Sequence, residues 1–154
     1  MDKKITVELI KKLREQTGGG VIECKKALED SNGNLEKAAE FLKKHGIEKA
    51  EKKADRVTTA GSIETYTHAG GKVGSMVELL CETDFVARTD DFKNLAHELC
   101  LQIAAMDPGT VDNLNEQVYI RDGKTLIKDL VKSVIAKVGE NIKISRIYRA
   151  ELGA

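Results

Sequence analysis

Ile63-Glu64-Thr65-Tyr66-Thr67-His68-Ala69-Gly70-Gly71-Lys72-Val73-Gly74-Ser75-Met76-Val77-Glu78-Leu79-Leu80-Cys81 is the stretch that decides the fold. Before it, apolar residues recur every three or four positions. Within it the period drops to two: Ile63, Thr65 and Thr67 alternate with Glu64 and Tyr66, and Val73, Ser75, Val77, Leu79 and Cys81 alternate in turn. His68-Ala69-Gly70-Gly71 turns the chain between the two runs, so the segment predicts a β-hairpin with a glycine loop. Both alternating sets of the second strand hold large apolar side chains, Val73, Val77 and Leu79 on one and Met76 and Leu80 on the other. A small sheet packs one face on its own helices, and its other apolar face is expected to meet a second copy of the chain, making a homodimer.

Working outward toward the C-terminus, Thr83 to Arg88 reads as irregular. Thr89 caps a helix with Asp90 and Asp91 in its first turn, and Phe92, Leu95, Ala96, Leu99 and Ile103 form its core-facing stripe until Asp107-Pro108-Gly109 ends it. Residues 109–122 are polar and turn-rich. Thr125 is expected to cap a helix whose apolar face is Ile127, Leu130, Val134 and Val138; Gly139 stops it, and Ile142, Ile144, Arg146 and Tyr148 alternate as a last strand. Toward the N-terminus, Thr6 is expected to cap a first helix over about Val7 to Gln16, with Ile5 and Ile10 as a hydrophobic staple. Thr17-Gly18-Gly19-Gly20 breaks that helix, Val21, Cys24, Ala27 and Leu28 restart the pattern, and Ser31-Asn32-Gly33-Asn34 turns the chain. Leu35, Ala38, Ala39 and Leu42 make a third helix, expected to close at His45-Gly46, and the charged stretch Ile47 to Ala54 reads as a solvated linker helix. The expected class is α+β: a three-helix module with its linker over residues 1–53, then a core over residues 54–154 with a three-stranded antiparallel sheet packed with helices.

Composition narrows the function. The 154 residues are 41% hydrophobic and 32% charged with no tryptophan, a helix-rich globular profile. Twenty-five basic residues balance 25 acidic ones, so no global field draws the chain to nucleic acid or to an anionic membrane. Residues 1–56 hold 14 basic and 11 acidic side chains and the rest the reverse, a mild asymmetry that favours protein partners. No signal-like segment and no apolar run of about 18 residues is present, and a cytoplasmic location is expected. Cys24, Cys81 and Cys100 show no C-x-x-C pairing and are read as buried hydrophobes, and His45, His68 and His97 show no ligand spacing, so no metal or cofactor is expected. The glycine run lacks the spacing of a phosphate loop. No nucleophile elbow occurs, and Asp90 and Asp91 are accounted for as first-turn helix acids, which leaves Asp84 alone and argues against an enzyme. Phe85 and Val86 remain, set in a polar connection where Phe85 either tucks into the core or stands out as an anchor for a partner.

Three segments share a resemblance. Leu13-Arg14-Glu15-Gln16-Thr17-Gly18-Gly19-Gly20-Val21-Ile22-Glu23-Cys24-Lys25-Lys26-Ala27-Leu28 resembles the first signature of the elongation factor Ts family, Thr83-Asp84-Phe85-Val86-Ala87 its second, and Val138-Gly139-Glu140-Asn141-Ile142 its closing segment. They follow the family's order and span nearly the whole chain. The resemblance implies a guanine-nucleotide exchange factor of translation that acts on the GTPase elongation factor Tu and performs no chemistry itself. It implies a module similar to ubiquitin-associated domains over residues 1–53, docking through Lys11, Arg14, Val21 and Ile22. It further implies that the loop of Thr83, Asp84, Phe85 and Val86 approaches the magnesium site of the GTPase, Phe85 wedging between two helices, and that compact members pair sheet against sheet. Leu80 stands where the family usually has Asn, Ser145 where a basic residue often precedes Arg146, and the chain is shorter than typical members, with only residues 109–122 where longer forms carry an insertion. The other reading is a ubiquitin-associated-type adaptor, which would not need the Thr-Asp-Phe-Val loop.

Overall fold

The computed structural model of the chain describes residues 5–154. Thr6 is extended, and its hydroxyl oxygen accepts from the Leu9 N–H at 3.3 Å to start α1 (Val7–Thr17). Gly18 ends it in the left-handed region at φ 69°, where its N–H reaches the Arg14 carbonyl at 2.8 Å, a geometry a side chain would strain. α2 (Val21–Asp30) follows, and Asn34 caps α3 (Leu35–Glu51) by accepting from the Lys37 N–H. Leu13, Cys24, Ala27, Leu28 and Ala38 are buried together as the core of these helices.

α3 does not close at His45-Gly46, as the sequence reading expected. Gly46 keeps a negative φ and the helix runs on to Glu51. One interior glycine costs about 1 kcal/mol, and the helix formers Glu48, Lys49 and Ala50 that follow outweigh it. Lys49 also pairs with Glu23 of α2. The two compact units of the chain divide between Lys49 and Ala50, and Ala50 is packed in the core of the second.

In that second unit the helices and strands make the expected α+β layer. β1 (Ala60–His68), β2 (Val73–Cys81) and β3 (Ile142–Glu151) form an antiparallel sheet with β2 in the centre. Ser75, Val77, Leu79 and Cys81 face inward onto Phe92, Leu95, Leu99 and Ile103 of α5 (Asp90–Met106). Thr89 caps α5 by accepting from the Phe92 N–H. All three cysteines are buried and free.

Several local expectations fail for identifiable reasons. Thr83 to Arg88 is not irregular but contains one helical turn, α4 (Asp84–Ala87). The polar stretch from 109 contains α6 (Val111–Glu116), capped by Thr110 and anchored by the fully buried Leu114. Beyond it the buried Gln102 amide of α5 donates to Gln117 Oε1 and the Val118 carbonyl and accepts from the Ile120 N–H, so a side chain supplies the order that an apolar pattern does not. Thr125 does not cap α7 (Ile127–Val138), because its hydroxyl donates to Asp122 Oδ2 at 2.5 Å and Leu126 takes the cap position. The buried centre of α7 is Ile127, Val131 and Ile135, with Leu130, Val134 and Val138 only partly covered at its flanks.

In β3 the alternation is broken once. Leu79 pairs with Ile144 but Glu78 with Arg146, which leaves Ser145 as a bulge. Ile142 and Ile144 therefore face the core, whereas Arg146 and Tyr148 lie on the opposite face with Met76, Glu78, Leu80 and Ile63. Val77, at 0% exposure, belongs to the covered face.

Asp122 accepts from the Lys124 and Thr125 N–H groups as well as the Thr125 hydroxyl, and the hydroxyl bond first, then the amides, lower its pKa from 3.8 to about 2. A carboxyl depressed on folding adds stability that is complete above its unfolded pKa and disappears as pH falls through the folded one. The stability advantage of the wild type over Asp122→Ala should thus hold near neutrality and close as pH falls from about 4 to about 2, followed by urea unfolding at stepped pH. A gap that persists unchanged at the acid end would contradict the assignment.

Candidate functional site

Residues 82–89 connect the central strand to α5, and the polar groups of Thr83 and Thr89 and the backbone of Val86 are all hydrogen-bonded within it, to Glu140 or to the first turn of α5. The Thr83 N–H and the Glu82 N–H both donate to Glu140 Oε2, at 2.9 and 3.1 Å, and the Thr83 hydroxyl donates to Glu140 Oε1 at 2.6 Å. That hydroxyl also accepts from the Val86 N–H, the cap of α4. The Thr83 carbonyl accepts from the Ala87 N–H and from the Cys81 thiol at 3.1 Å. Burial pushes the Cys81 thiol up from its ordinary value, and the Glu140 charge pushes the same way, which keeps the donor protonated. At the far end the Thr89 N–H and hydroxyl both donate to the Val86 carbonyl, at 3.0 and 2.7 Å.

The brace is reciprocal. Glu82 Oε1 accepts from the Asn141 N–H at 2.7 Å and lies 3.6 Å from Arg56 Nη1. The Asn141 side-chain amide, itself buried, donates to the carbonyls of Ala54 and Arg56. Gly139, left-handed at φ 80°, ends α7 and delivers Glu140 and Asn141 to this position at the start of β3.

On this pinned turn the two apolar side chains part company. Val86 is 6% exposed and joins the core, while Phe85 is 83% exposed. The burial alternative for Phe85 is therefore overturned, since the single turn that carries Val86 inward carries its neighbour outward. Val86 in turn does not present a free surface, because its side chain is packed in the core of the second unit. Thr83 and Asp84 are exposed. In the first unit Lys11 and Arg14 lie exposed on α1, and Val21 and Ile22 open α2 at 51% and 84% exposure. Arg14 Nε donates to the Gly19 carbonyl at 3.3 Å, which ties that side chain to the turn launching α2. Sequence reasoning gave Thr89 a role only as a helix cap, quoted Glu140 and Asn141 only within the closing segment of the resemblance, and gave none of these or Glu82 a part in holding the turn. Their one sequence signal is a glycine helix stop followed by a carboxylate and an amide, 57 to 59 residues from the groups they hold. Among the described residues no cluster of His, Cys, Asp or Glu has the arrangement of a metal site, and no helix is long and apolar enough to cross a membrane.

The braced segments are two of the three that resemble one family, and comparison with known proteins agrees. A family model described as Elongation factor TS matches residues 82–154. Elongation factor Ts of Thermotoga maritima is 42% identical over 193 aligned positions covering 97% of this chain and 97% of its own. The chain belongs to the elongation factor Ts family. The protein of that name from Coprothermobacter proteolyticus is 42% identical across 97% of this chain and 99% of its own, and that from Nitratidesulfovibrio vulgaris 40% across 97% and 98%. An aligned span of 193 positions exceeds the 154 residues here, so these family members carry residues that face gaps in this chain.

If Phe85 is outward and Val86 inward, their truncations separate. Phe85→Ala should change stability by less than about 0.5 kcal/mol, as exposed substitutions do, and Val86→Ala should cost about 1–3 kcal/mol. Urea midpoints at unchanged slope would show it, and equal losses for the two would refute the orientation.

Proposed function

We propose that this protein is the guanine-nucleotide exchange factor of elongation factor Tu, a cytoplasmic factor of protein biosynthesis that works by binding and displacement and not as an enzyme. Membership of the family supports the partner and the activity. The observation that carries the mechanism is Phe85, a large aromatic held away from the core on a turn whose base is fixed by a carboxylate. Interface energies concentrate in such anchors.

In translational GTPases a magnesium ion and backbone amides hold the diphosphate. An aromatic side chain that enters beside that site and shifts those elements weakens GDP binding, and linkage requires GDP to weaken the factor's binding by the same ratio. On this reading Thr83 and Asp84 set the turn against the partner, Phe85 displaces, and Val86 supports it from inside. Residues 1–53 serve as the docking module, similar to ubiquitin-associated domains, and Lys11, Arg14, Val21 and Ile22 are its contact residues; their exposure on α1 and α2 suits the role. An adaptor acting through the first three helices has no use for Phe85. Phe85→Ala should slow factor-stimulated GDP release by roughly tenfold or more, about 1.4 kcal/mol of lost transition-state interaction, in a stopped-flow assay with labelled GDP. Release at the wild-type rate would leave only the adaptor.

The second part of the proposal is the homodimer. Ile63, Met76, Leu80 and Tyr148 surround the Glu78–Arg146 pair on the sheet face that the helices of its own unit leave open, with Ile63 and Tyr148 57% and 56% exposed. A two-fold axis would bring two such faces together. Light scattering at micromolar concentration should then report about twice the 16.9 kDa chain mass, and Met76→Asp should halve it while the fold survives. Val77→Asp is no equivalent test, because that side chain is in the core. A single-chain mass at every accessible concentration would rule the pair out.

A further inference from the structure

We propose that Glu140 is a positioning residue for Phe85, acting across 57 residues of sequence through Thr83. The inference rests on the exchange reading for its activity arm and stands alone for its structural arm. Its ground is the distribution of bonds. Of the groups that fix Thr83, Glu140 takes the backbone N–H and the hydroxyl proton, together with the Glu82 N–H one residue earlier. A charged acceptor of three donors is among the stronger polar restraints a loop can have. The hydroxyl so oriented turns its lone pair to the Val86 N–H and starts the single helical turn that throws Phe85 outward. Thr83 thus transmits the position of Glu140 to the direction of Phe85.

Glu140 also differs from its neighbour in the brace. Asn141 is itself buried, and its amide ties the start of β3 to the carbonyls of Ala54 and Arg56, so its loss would remove a packed side chain together with two bonds. The donors that Glu140 receives at Thr83 are solvent-accessible. Water can replace the carboxylate there, and the fold then survives while the turn gains alternatives to its one conformation. Positioning and global stability are separable at Glu140 and not at Asn141.

The chain contains no tryptophan, so Phe85→Trp installs a single reporter at the tip of the turn. In that background Glu140→Ala should add a fast local component to the fluorescence anisotropy decay of the introduced indole, and Glu140→Gln, which keeps a carbonyl oxygen for the two amides but not the second acceptor, should fall between. In the exchange assay with Phe85 intact, Glu140→Ala should lower the maximal GDP release rate several-fold and shift the half-saturating concentration much less. Combined with Phe85→Ala it should add nothing further, because both changes remove the same effect. Unchanged anisotropy in both Glu140 variants, or rate losses that multiply in the double variant, would overturn the proposal. If Glu140→Ala proves unfolded, Glu140→Gln carries the same two readings. Should Phe85→Ala alone release GDP at the wild-type rate, the exchange reading fails, and the anisotropy still decides whether Glu140 orders the turn.

Discussion

The parity of the central strand is the constraint from which the rest of the structure follows. β2 is hydrogen-bonded to β1 on one edge and β3 on the other, so a slip of one residue would exchange the two faces along its whole length. What forbids the slip is burial: Val77, Leu79 and Cys81 fill the space over α5, and each large apolar side chain buried there contributes about 1.5–3 kcal/mol. Ser75 is tolerated on the same face because its hydroxyl donates to the Cys100 carbonyl at 2.8 Å. The Cys100 thiol, pushed up to about 11 by burial, stays protonated and donates to the Glu64 carbonyl. With the strand closed inward at Cys81, its thiol lies beneath the next turn and meets the Thr83 carbonyl, and the first apolar residue that can return to the core is Val86. Phe85 is left outside by that count.

Leaving a phenylalanine outside forgoes roughly 2 kcal/mol that burial would have supplied, and the chain surrounds it with restraints instead of cover. Fixing a residue's backbone costs about 1–2 kcal/mol, a loss that a floppy loop would meet on binding and that this turn has already met on folding. A side chain intended to displace elements of a partner needs that stiffness, because a yielding loop would bend before the partner did. The proposed roles divide accordingly: the exposed residues of α1 and α2 supply adhesion, and the braced turn supplies displacement.

Much of this was legible in the sequence where one physical signal dominated. The period of two in residues 63–81, the Thr6 and Thr89 caps and the glycine stops after α1 and α7 are each decided by neighbours within four residues, and the structure agrees with all of them. The readings that failed depend on partners far away in sequence or on competition between equal signals. Gly46 reads as a stop until the helix formers after it are weighed. Thr125 reads as a cap until Asp122 claims its hydroxyl. The bulge at Ser145, which moves Arg146 and Tyr148 to the other face, has no local signature because the mismatch lies in the pairing with Glu78 and Leu79. The candidate site divides the same way. Phe85 was visible as an aromatic in a polar loop, but its outward direction and its carboxylate brace are tertiary facts.

The brace also bears on the length of the chain. Members of the family align over 193 positions against 154 residues here, so anything the Thr83–Val86 turn requires must be supplied without those additional residues. It is: every bond to Thr83 comes from Cys81, Val86, Ala87 or Glu140, and Glu140 is held by the end of α7 and the start of β3. The shorter core shows no orphaned polar side-chain atom in the interior among the described residues, so the absence of that segment has not opened an unsatisfied interior. What the second unit leaves uncovered is a largely apolar face on the other side of the sheet, where Leu80 lies half-buried and Tyr148 is turned outward by the Ser145 bulge. Polar completeness inside and apolar exposure outside call for different remedies. The first shows that the turn needs no further segment of chain to hold it, and the second is the kind of deficit that another protein surface, and not solvent, makes good.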